Sequence, residues 1–582
     1  MSDSHASTGS SKPLLIASAI ILAAYFISAM PGLGLPQAGT RKITDAAKHH
    51  GDKHHGDTGP DAHPEEHSPT DGHDPAHEKD EHGDHEDTHS PPADAHAEDA
   101  NSKDAHPGEG SRNAKHTVNG HPELWMVLPF VLLLGAIAVL PLIPATEHWW
   151  ESNLNRFIVA AVLGALTLLY YLVLHEQPVE GHWPAHHVMQ HSESGLNVGV
   201  AWTVLANAIL NEYIPFIMLL FSLYTISGGI RIKGGLPAHP LTNSIFMAIG
   251  GLLASFIGTT GASMLLIRPL LEANKERKSV KLTVIFFIFV VCNCGGCLLP
   301  IGDPPLFLGY LRGVSFLWTM NLWPQWLFVN VSLVVMYYTL DHFWYYRHEK
   351  PMDIAIDETR VRGMKFSGLW PNVPLLMGVV LSIGLLDPSK TVPGTNGWHP
   401  WIYLREIVQL ALVMLSLLLG SKAVRRANWF NYHAIIEVSA LFFGIFICMQ
   451  PALRILQVQG PEFRLNSPMP FFWLTGGLSA VLDNAPTYVV FFATAASINP
   501  ANLPEGPMVP INQGQISEAL LVAISLGAVF MGAMTYIGNG PNFMVKAIAE
   551  KSGVSMPSFF GYMLYSCAFL LPLFIITTIV FL

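Results

Sequence analysis

Two aspartates stand where an apolar chain would be expected to cross a membrane. Asp303 follows the run Leu282–Cys292 within "NCGGCLLPIGDPPLF" (residues 293–307), and Asp483 opens "DNAPT" (residues 483–487). A carboxylate at membrane depth is costly, so it indicates a functional site. Burial favours the protonated carboxyl and a bound cation favours the ionised one, so a proton and a sodium ion would compete for the same oxygens. The alternative is a structural cap on a half-helix, whose amino terminus attracts a carboxylate.

Neutral oxygen ligands accompany both aspartates. Hydroxyl and amide side chains occur in short polar stretches around them, and oxygens of this kind suit a sodium ion. They are equally suited to hydrogen bonding with backbone that has lost its helical partners. The candidate ion- or substrate-binding residues are Thr259, Thr260, Asn293, Asp303, Asp483, Asn484, Thr487, Asn539 and Asn542.

Other chemistry finds little support in the sequence. The thiols of "CNCGGC" (residues 292–297) invite a metal site, but small residues in a glycine-rich break also serve close packing, so no metal ligand is assigned. Glu212 and Glu437 are expected near helix starts, in capping or interfacial roles. We find no "GxxxxGK[ST]" phosphate loop and no H-E-x-x-H or G-x-S-x-G motif. The sequence therefore predicts neither an enzyme nor a cofactor, and the expected ligands are a small cation and a proton, or a small anion.

These polar stretches lie in a strongly apolar chain. Of its 582 residues, 50% are hydrophobic and only 13% are charged, with a mean hydropathy of +0.34, whereas soluble chains carry about 25% charged residues. Apolar runs of roughly 20 residues are long enough to cross a bilayer as helices. The composition predicts an all-α polytopic protein whose first partner is the lipid bilayer. The candidate segments are Leu124–Pro144, Phe157–Leu174, Trp202–Ile226, Trp323–Phe343, Trp370–Leu386, Leu404–Leu419, Ile435–Met449, Ser517–Met534 and Phe559–Leu582.

The negative charge is concentrated in one segment. Nineteen acidic residues and four lysines lie between Asp45 and Glu109, a balance of −15 within a total of −11, so the rest of the chain carries +4. That remainder has no basic patch that would bind a nucleic acid. Residues 41–120 also hold fourteen of the 27 histidines and almost no large apolar residues, so this segment is expected to be disordered. We interpret it as a solvated tether, or as a weak binder of zinc, nickel or copper.

The amino terminus allows two interpretations. Lys12 precedes the apolar run Leu14–Met30, which suits either a signal peptide or a first anchor helix within residues 1–40. Both interpretations place residues 41–120 outside the cytoplasm. The basic loops then orient the remaining segments, because lysine and arginine favour the cytoplasmic side. We expect a multi-pass protein of the inner (cytoplasmic) membrane, with its transmembrane domain in residues 121–582.

Two segments with polar tips are predicted to enter the membrane and return on the same side. A single crossing by residues 242–267 would put the basic cluster at residues 268–278 outside, and these residues are too few for two crossings. A re-entrant hairpin with "GTTGA" (258–262) at its tip satisfies both constraints. Residues 471–496, with "DNAPT" at their tip, repeat the pattern from the opposite side. Irregular backbone at that depth requires burial in protein or a cavity.

Each predicted hairpin is followed by a helix that glycine and proline interrupt, at residues 295–305 and 537–542. The order hairpin, broken helix, helix therefore occurs twice with opposite orientation, in repeat halves of about 202–343 and 404–582. Inverted repeats with helices broken near the midplane are typical of secondary transporters. The predicted fold class is an inverted-repeat transporter with two re-entrant hairpins and two broken transmembrane helices.

Four motifs, "ASFIGTTGAS", "PIGDPPLFLGYL", "AVLDNAPT" and "YIGNGPN", together resemble the ion transporter superfamily, within its citrate-transporter-like group. The resemblance extends over about residues 122–582. Within the group, the four motifs resemble in particular those of NhaD-type sodium/proton antiporters. This resemblance implies secondary active transport, and the first expected function is sodium (or lithium)/proton antiport. A homodimer is one expected form of assembly.

The residue types at the two hairpin tips give information about the substrate. Dicarboxylate transporters of this superfamily carry Ser-Asn-Thr at both tips, whereas this chain has Gly-Thr-Thr at 258–260 and Asp-Asn-Ala-Pro-Thr at 483–487. The alternative function is sodium-coupled transport of a carboxylate (citrate or dicarboxylate), or of an oxyanion such as arsenite.

Overall fold

The computed structural model describes residues 12–30, 33–51, 120–192, 195–235, 237–349, 362–463, 465–503, 505–512 and 514–582. The described residues up to His49 and from Gly120 onward form one compact unit. Of the segment predicted to be disordered, residues 52–119 lie outside the described residues. The first residues of that segment, up to Gly51, continue a helix that begins at Leu35.

The unit is built mainly from helices. Its amino-terminal elements end at the first basic loop, and the helix from Val198 to Ser227 is interrupted by a π-helical segment at Asn207–Tyr213. These elements are α1 (Lys12–Ser28), α2 (Leu35–Gly51), α3 (Leu128–Val139), α4 (Pro144–Trp150), α5 (Asn153–Val173), β1 (Val179–Gly181), β2 (His187–Met189), α6 (Val198–Ala206), α7 (Ile214–Ser227) and β3 (Arg231–Gly235).

The two predicted repeat halves follow. The first contains α8 (Pro240–Ile257), α9 (Thr259–Ala273), α10 (Lys281–Val290), α11 (Pro304–Leu311) and α12 (Trp323–Leu340), and β4 (Arg362–Ser367) follows it. After α13 (Leu369–Leu385), the second contains α14 (Leu404–Leu419), α15 (Lys422–Ala427), α16 (His433–Gln459), α17 (Pro468–Ser479), α18 (Asn484–Ser497), β5 (Met508–Ile511), β6 (Gly514–Ser517), α19 (Glu518–Met531), α20 (Gly540–Lys551) and α21 (Phe559–Phe581).

The strands form three antiparallel pairs outside the helical bundle. β1 pairs with β2, β3 with β4 and β5 with β6, with Val179 opposite Met189, Ile232 opposite Phe366 and Val509 opposite Ile516. The 30-residue helix Val198–Ser227 connects β2 to β3. The first two strand pairs therefore mark opposite ends of that helix, and we name these ends the β1–β2 face and the β3–β4 face.

The helices have the length and the apolar surface of membrane spans. Each of the nine segments predicted from the sequence lies in helix. On α21, Phe560, Leu564 and Ile579 are about three-quarters exposed (75%, 74% and 74%), which suits hydrocarbon and not water. The chain is a multi-pass, all-α membrane protein, as predicted. In the described residues, six helices qualify as spans by length and composition: Leu124–Leu142, Asn153–Val173, Val198–Ser227, Pro240–Ile257, His433–Phe463 and Phe559–Phe581.

Two discontinuous helices occupy the core of the bundle. Every side chain of α10 from Leu282 to Val290 is buried, as is every side chain from Ala523 to Tyr536 in and after α19. A helix that is apolar on all sides belongs inside a protein, because it has no polar face to turn outward. The polar residues that interrupt these two helices are therefore buried as well.

Candidate functional site

The first repeat half contains a helix that breaks inside the core. α10 ends, one 3₁₀ turn follows, and α11 begins at Pro304. Pro304 and Pro305 lack the N–H that a continuing helix needs, and proline is favoured in the first turn of a new one. Glycine is required at 295 because a Cβ there would stand 2.5 Å from the Cα of Gly251 in α8. The break leaves Asp303 immediately before α11, in extended backbone (φ −141°, ψ 142°).

The second half contains the same kind of break. α19 ends at Met531, a 3₁₀ turn follows, and α20 begins at Gly540. Asn539 precedes α20 as Asp303 precedes α11, and its backbone is equally extended (φ −153°, ψ 139°). The two breaks therefore place an aspartate and an asparagine at matching positions.

A pair of close glycines supports each break. A Cβ on Gly302 would collide with the carbonyl oxygen of Gly296, and a Cβ on Gly538 would collide with the carbonyl oxygen of Gly532. In each half the two glycines lie six positions apart in the sequence. The interrupted chain consequently folds back on itself in the same way twice, and Asp303 and Asn539 each follow the second glycine.

The turn between two paired helices lies against each break. Gly258 separates α8 from α9 at φ +79°, a conformation that favours glycine, and the Thr259 N–H donates to the Gly302 carbonyl at 2.8 Å. In the other half, the Thr535 hydroxyl donates to the Ala480 carbonyl, in the turn between α17 and α18, at 2.6 Å. The motifs predicted as hairpin tips thus contact the two breaks.

Asp303 is the centre of a buried hydrogen-bond network. Its Oδ1 accepts from the Thr259 hydroxyl at 3.0 Å and from the Asn539 amide at 3.2 Å, and its Oδ2 accepts from the Asn484 amide at 2.7 Å. Thr259 comes from the first half, whereas Asn484 and Asn539 come from the second. The three donors therefore bring one hairpin turn from each half and the second break to a single carboxylate.

Two further asparagines extend the network away from the carboxylate. The Asn539 amide also donates to Asn293 Oδ1 at 3.2 Å, and the Asn293 amide donates to Asn542 Oδ1 at 2.8 Å. The Asn542 amide in turn donates to the carbonyls of Gly532 and Thr535 at 2.8 and 2.9 Å. These amides link the two breaks, so six of the nine predicted site residues belong to one connected set.

The carboxylate at the centre has no charged partner in the described part of the chain. Asp303 is 1% exposed, its three donors are neutral, and no described lysine or arginine forms an ion pair with it. An isolated buried carboxylate is costly unless a cation or a proton neutralises it. Beside it, the buried Asn484 Oδ1 has no hydrogen-bond partner among the residues that the structure describes. A carboxylate next to an unsatisfied amide oxygen is an arrangement that a small cation would complete.

The remaining three candidates lie beside the network. Asp483 precedes α18 and its Oδ1 accepts from the Ala485 N–H at 3.0 Å, which is the capping role weighed as the alternative. The Thr487 hydroxyl donates to the Asp483 carbonyl at 3.0 Å. Thr260 is half-buried in the first turn of α9. The structure therefore separates the two aspartates: Asp303 is bound by donors from both halves, and Asp483 caps the amino terminus of α18.

Four helix amino termini meet at this point. α9, α11, α18 and α20 begin at or just after Thr259, Asp303, Asp483 and Asn539. α9 packs against α20 and α11 against α18, so each half contributes one helix to each pair. A helix amino terminus carries partial positive charge and attracts anions. The convergence stabilises the Asp303 carboxylate, and it would also favour an anionic substrate.

A buried acid whose position the sequence interpretation missed is Glu212. It was expected near a helix start, but it lies in the π-helical segment in the middle of Val198–Ser227. Its side chain is buried and pairs with Arg312, the residue that follows α11, at 2.7 Å. The signal was present, because Glu212 is an acid inside a long apolar run. Glu437, by contrast, is half-exposed near the start of α16 and pairs with Arg156 at 3.0 Å.

The cysteines of the first break are free thiols in the core. Cys292, Cys294 and Cys297 are buried, and the Ser263 hydroxyl lies 3.1 Å from Cys292 Sγ. Among the described residues, no group of three or more His, Cys, Asp or Glu side chains is arranged to hold a metal ion.

Comparison with known proteins identifies the transmembrane region. Residues 119–582 match the family described as "Putative citrate transport". No curated protein gives a significant match. The matched range contains both breaks, both hairpin turns and all nine candidate residues, and it begins where the histidine-rich segment ends. The chain therefore belongs to the "Putative citrate transport" family, and with it to the citrate-transporter-like group of membrane transporters.

Proposed function

We propose that this protein is a secondary active transporter that exchanges sodium (or lithium) ions for protons at Asp303. The observation that carries the proposal is the buried Asp303 carboxylate, which has only neutral partners and lies beside the unsatisfied Asn484 oxygen. Such a site has one negative charge to neutralise. A sodium ion and a proton are the two ligands that neutralise it with least disturbance, and they exclude each other.

The residues have distinct roles in this exchange. Asp303 supplies the charge that binds either ion, and Asn484 supplies the neutral oxygen that a proton does not need but a sodium ion does. Thr259 and Asn539 orient the carboxylate through its Oδ1. Because Thr259 comes from one half and Asn484 from the other, movement of one half against the other would open the site to a single side at a time.

The proposal includes the finer topology of the transmembrane domain. We take α8–α9 and α17–α18 as re-entrant hairpins and the two halves as an inverted repeat in the inner membrane. The matching glycine contacts at the two breaks and the reciprocal packing of α9 on α20 and α11 on α18 support this arrangement.

Cysteine labelling tests that topology. Single cysteines at the exposed positions 275 and 501, in an otherwise cysteine-free protein, should react with a membrane-impermeant reagent from opposite sides. Reaction of both positions from one side would exclude the inverted repeat.

A second candidate is sodium-coupled transport of a carboxylate or an oxyanion. It is favoured by the four helix amino termini at the site and by the description of the family, which refers to citrate. In that case a sodium ion at Asp303 would complete a binding site for the anion. The departures from Ser-Asn-Thr at both hairpin turns weigh against it.

Transport by purified protein in vesicles decides between the two. Sodium or lithium gradients, imposed without any organic anion, should drive proton movement that a pH dye reports. Citrate, dicarboxylates and arsenite are added singly as the comparison. If sodium moves protons only when one of these anions is present, or if sodium flux carries the anion and no protons, the exchange proposal is wrong and the second candidate replaces it.

A further inference from the structure

A row of polar side chains leads from the Asp303 site along the contact between α11 and α18. Asn484 and Tyr488 lie four residues apart on α18, so they share the face that packs against α11. At the other end of α11, eight residues long, stands Arg312, which pairs with Glu212. At about 1.5 Å per residue, α11 separates Asp303 from Arg312 by roughly 12 Å.

Tyr488 occupies the middle of this row. It is 1% exposed, and a Cβ on Gly309 of α11 would collide with its hydroxyl group. Glycine at 309 therefore lets the hydroxyl lie directly on the α11 backbone, between the two ends of the helix. The row thus consists of Asp303, Asn484, Tyr488, Arg312 and Glu212, and it crosses the boundary between the two halves.

The corresponding contact, between α9 and α20, differs from the contact between α11 and α18. α9 and α20 pack together as α11 and α18 do. Four residues after Thr259 on α9 stands Ser263, whose hydroxyl faces Cys292, and the buried side chains that follow are Leu266, Ile267 and Leu270. A polar row of this kind therefore distinguishes the α11–α18 contact from its α9–α20 counterpart.

Glu212 is incompletely paired at the end of the row. Its Oε1 accepts from Arg312 at 2.7 Å, whereas its Oε2 is buried and has no hydrogen-bond partner in the described part of the chain. The residue is 8% exposed in a span of the membrane domain, where an acidic side chain indicates function. It also lies in a π-helical segment, a conformation that is frequent at functional sites.

Two other elements are bonded to the π-helical segment that carries Glu212. The His182 N–H, beside β1, donates to Asn207 Oδ1 at 2.7 Å in the π-helical segment, and the Tyr403 hydroxyl donates to the Leu210 carbonyl at 2.9 Å. Burial lowers the pKa of His182 to about 4, so its ring is neutral near pH 7. Arg312 is then the cation that faces the Glu212 carboxylate among the described residues. The bond from His182 shows that the segment beside β1 reaches the π-helical segment, so we take the path from Glu212 to water toward the β1–β2 face.

We propose that Glu212 is a second proton-binding residue, through which protons travel between the β1–β2 face and Asp303 along the α11–α18 contact. The path rests on the proposed exchange at Asp303. In each transfer the Glu212 carboxylate takes one proton from water and its ion pair with Arg312 weakens. The proton then passes to the Asp303 carboxylate, Glu212 is ionised again and re-forms its pair, and the sodium ion leaves Asp303. Along the contact the Tyr488 hydroxyl relays the proton: it accepts one proton and releases another toward Asp303, so one O–H bond forms as another breaks and the row returns to its starting state.

Infrared difference spectroscopy tests proton binding without reference to transport. The purified protein is titrated from low to high pH, and protonated carboxyl bands that disappear are recorded. Glu212→Gln should remove one band and Asp303→Asn a different one. If Glu212→Gln leaves every band in place, Glu212 binds no proton and this inference is wrong, whatever ion the protein transports. Loss of the Glu212 band, with no sodium-driven proton movement in the unaltered protein, would overturn the exchange and keep Glu212 as a proton site.

A double variant separates proton transfer from a structural ion pair. In vesicles, Glu212→Gln should slow proton movement about 100-fold, the scale of a lost acid–base group, and its rate should no longer vary with pH on the β1–β2 side. Glu212→Gln combined with Arg312→Gln removes both charges. Recovery of the rate and of the pH profile in the double variant would mean that the pair is only structural. Continued loss in a well-inserted double variant supports the transfer role.

The matched control is Glu437→Gln. Glu437 is also an acid paired with an arginine, Arg156, but it lies on α16 away from the row. Its rate and pH profile should equal those of the unaltered protein. An equal change in this control would show that loss of any such pair disturbs transport, and the assignment of Glu212 would fail.

Discussion

At the residue scale, the two breaks carry different side chains at matching positions, an aspartate in the first and an asparagine in the second. Asp303 and Asn539 have nearly the same backbone angles and both precede a helix, but only Asp303 carries charge. The sequence identified Asp303 because an acid in an apolar run is conspicuous. It could not separate Asp303 from Asp483, since capping and ligand binding both place an aspartate before a helix. That distinction depends on which donors from the other half reach the carboxylate, and sequence spacing does not contain it.

The two aspartates should therefore respond differently to the same substitution. Asp303→Asn keeps the shape of the side chain but removes the charge, so it should abolish sodium-driven proton movement in protein that inserts normally. Asp483→Asn retains an oxygen that can accept from the Ala485 N–H, so we expect exchange to persist, with a thermal midpoint lowered by a few degrees. Proton flux and thermal unfolding in detergent are measured for both. Full exchange in Asp303→Asn would rule out this carboxylate as the ion site.

Asn484 should control sodium affinity more than proton affinity. Asn484→Ala removes both the unsatisfied oxygen and the donor to Asp303 Oδ2. Losing one such contact costs about 1–3 kcal/mol, so the sodium concentration for half-maximal exchange should rise by about 5- to 140-fold. Thr494→Ala is the control, because the Thr494 hydroxyl on the same helix bonds only to the Val490 carbonyl one turn earlier. An unchanged sodium dependence in Asn484→Ala would mean that this oxygen is not a ligand.

At the scale of elements, apolar runs predicted the helices and polar interruptions predicted the breaks. The π-helical segment at 207–213 could not be foreseen, because no local signal distinguishes it from regular α-helix in the same run. Glu212 was placed near a helix start although it lies ten residues inside the predicted segment Trp202–Ile226, and its partner Arg312 lies 100 positions away. Contacts of such long range are set by packing of the halves, which is why the outer end of the polar row appeared only in the structure.

The amino-terminal helices are attached to the bundle by specific contacts. The Tyr25 hydroxyl donates to the Ile402 carbonyl at 2.9 Å. The Thr40 hydroxyl donates to the Pro400 carbonyl at 3.1 Å and accepts from the Ile402 N–H at 2.9 Å. These bonds lie just before Tyr403, whose φ of +62° is unfavourable for a side chain of its size. A segment bonded in this way to the start of α14 serves better as an anchor than as a signal peptide.

We therefore expect residues 12–44 to remain in the mature protein. Mass spectrometry of protein purified from membranes should show an intact amino terminus. Thr40→Ala should reduce the unfolding free energy by about 1–2 kcal/mol, because it removes a buried hydroxyl with three partners, the Pro36 and Pro400 carbonyls and the Ile402 N–H. Thr44→Ala should have no effect, since that hydroxyl is exposed and bonds only to the Arg41 carbonyl. A mature chain that begins after residue 40 would establish the signal peptide instead.

At the scale of the whole molecule, the proposed ion site at Asp303 and the histidine-rich segment lie in separate stretches of the sequence. The matched family region begins at residue 119, and the described network lies between residues 259 and 542. Nothing in the geometry of the site requires residues 52–115. The net negative charge of the chain also arises in this segment. No described contact joins that charge to Asp303.

Deleting residues 52–115 should leave the exchange rate within about twofold of the full chain. Added zinc or nickel should inhibit the two proteins differently if imidazoles of the deleted segment bind these metals. The measurement is proton flux in vesicles at matched protein density, with and without metal. Loss of flux in a correctly inserted deletion would show that the segment takes part in transport.

The single carboxylate at the two breaks bears on how the protein would respond to membrane voltage. Asn539, at the position that matches Asp303, adds no charge, and the charge of Glu212 is balanced by Arg312. The transporting site is then neutral whether it holds a sodium ion or a proton. Moving one net charge through a 100 mV potential changes the energy by about 2.3 kcal/mol, and a neutral site avoids that term in both directions. Exchange of one ion for one proton would consequently run at the same rate in polarised and depolarised membranes, driven by the two concentration gradients alone.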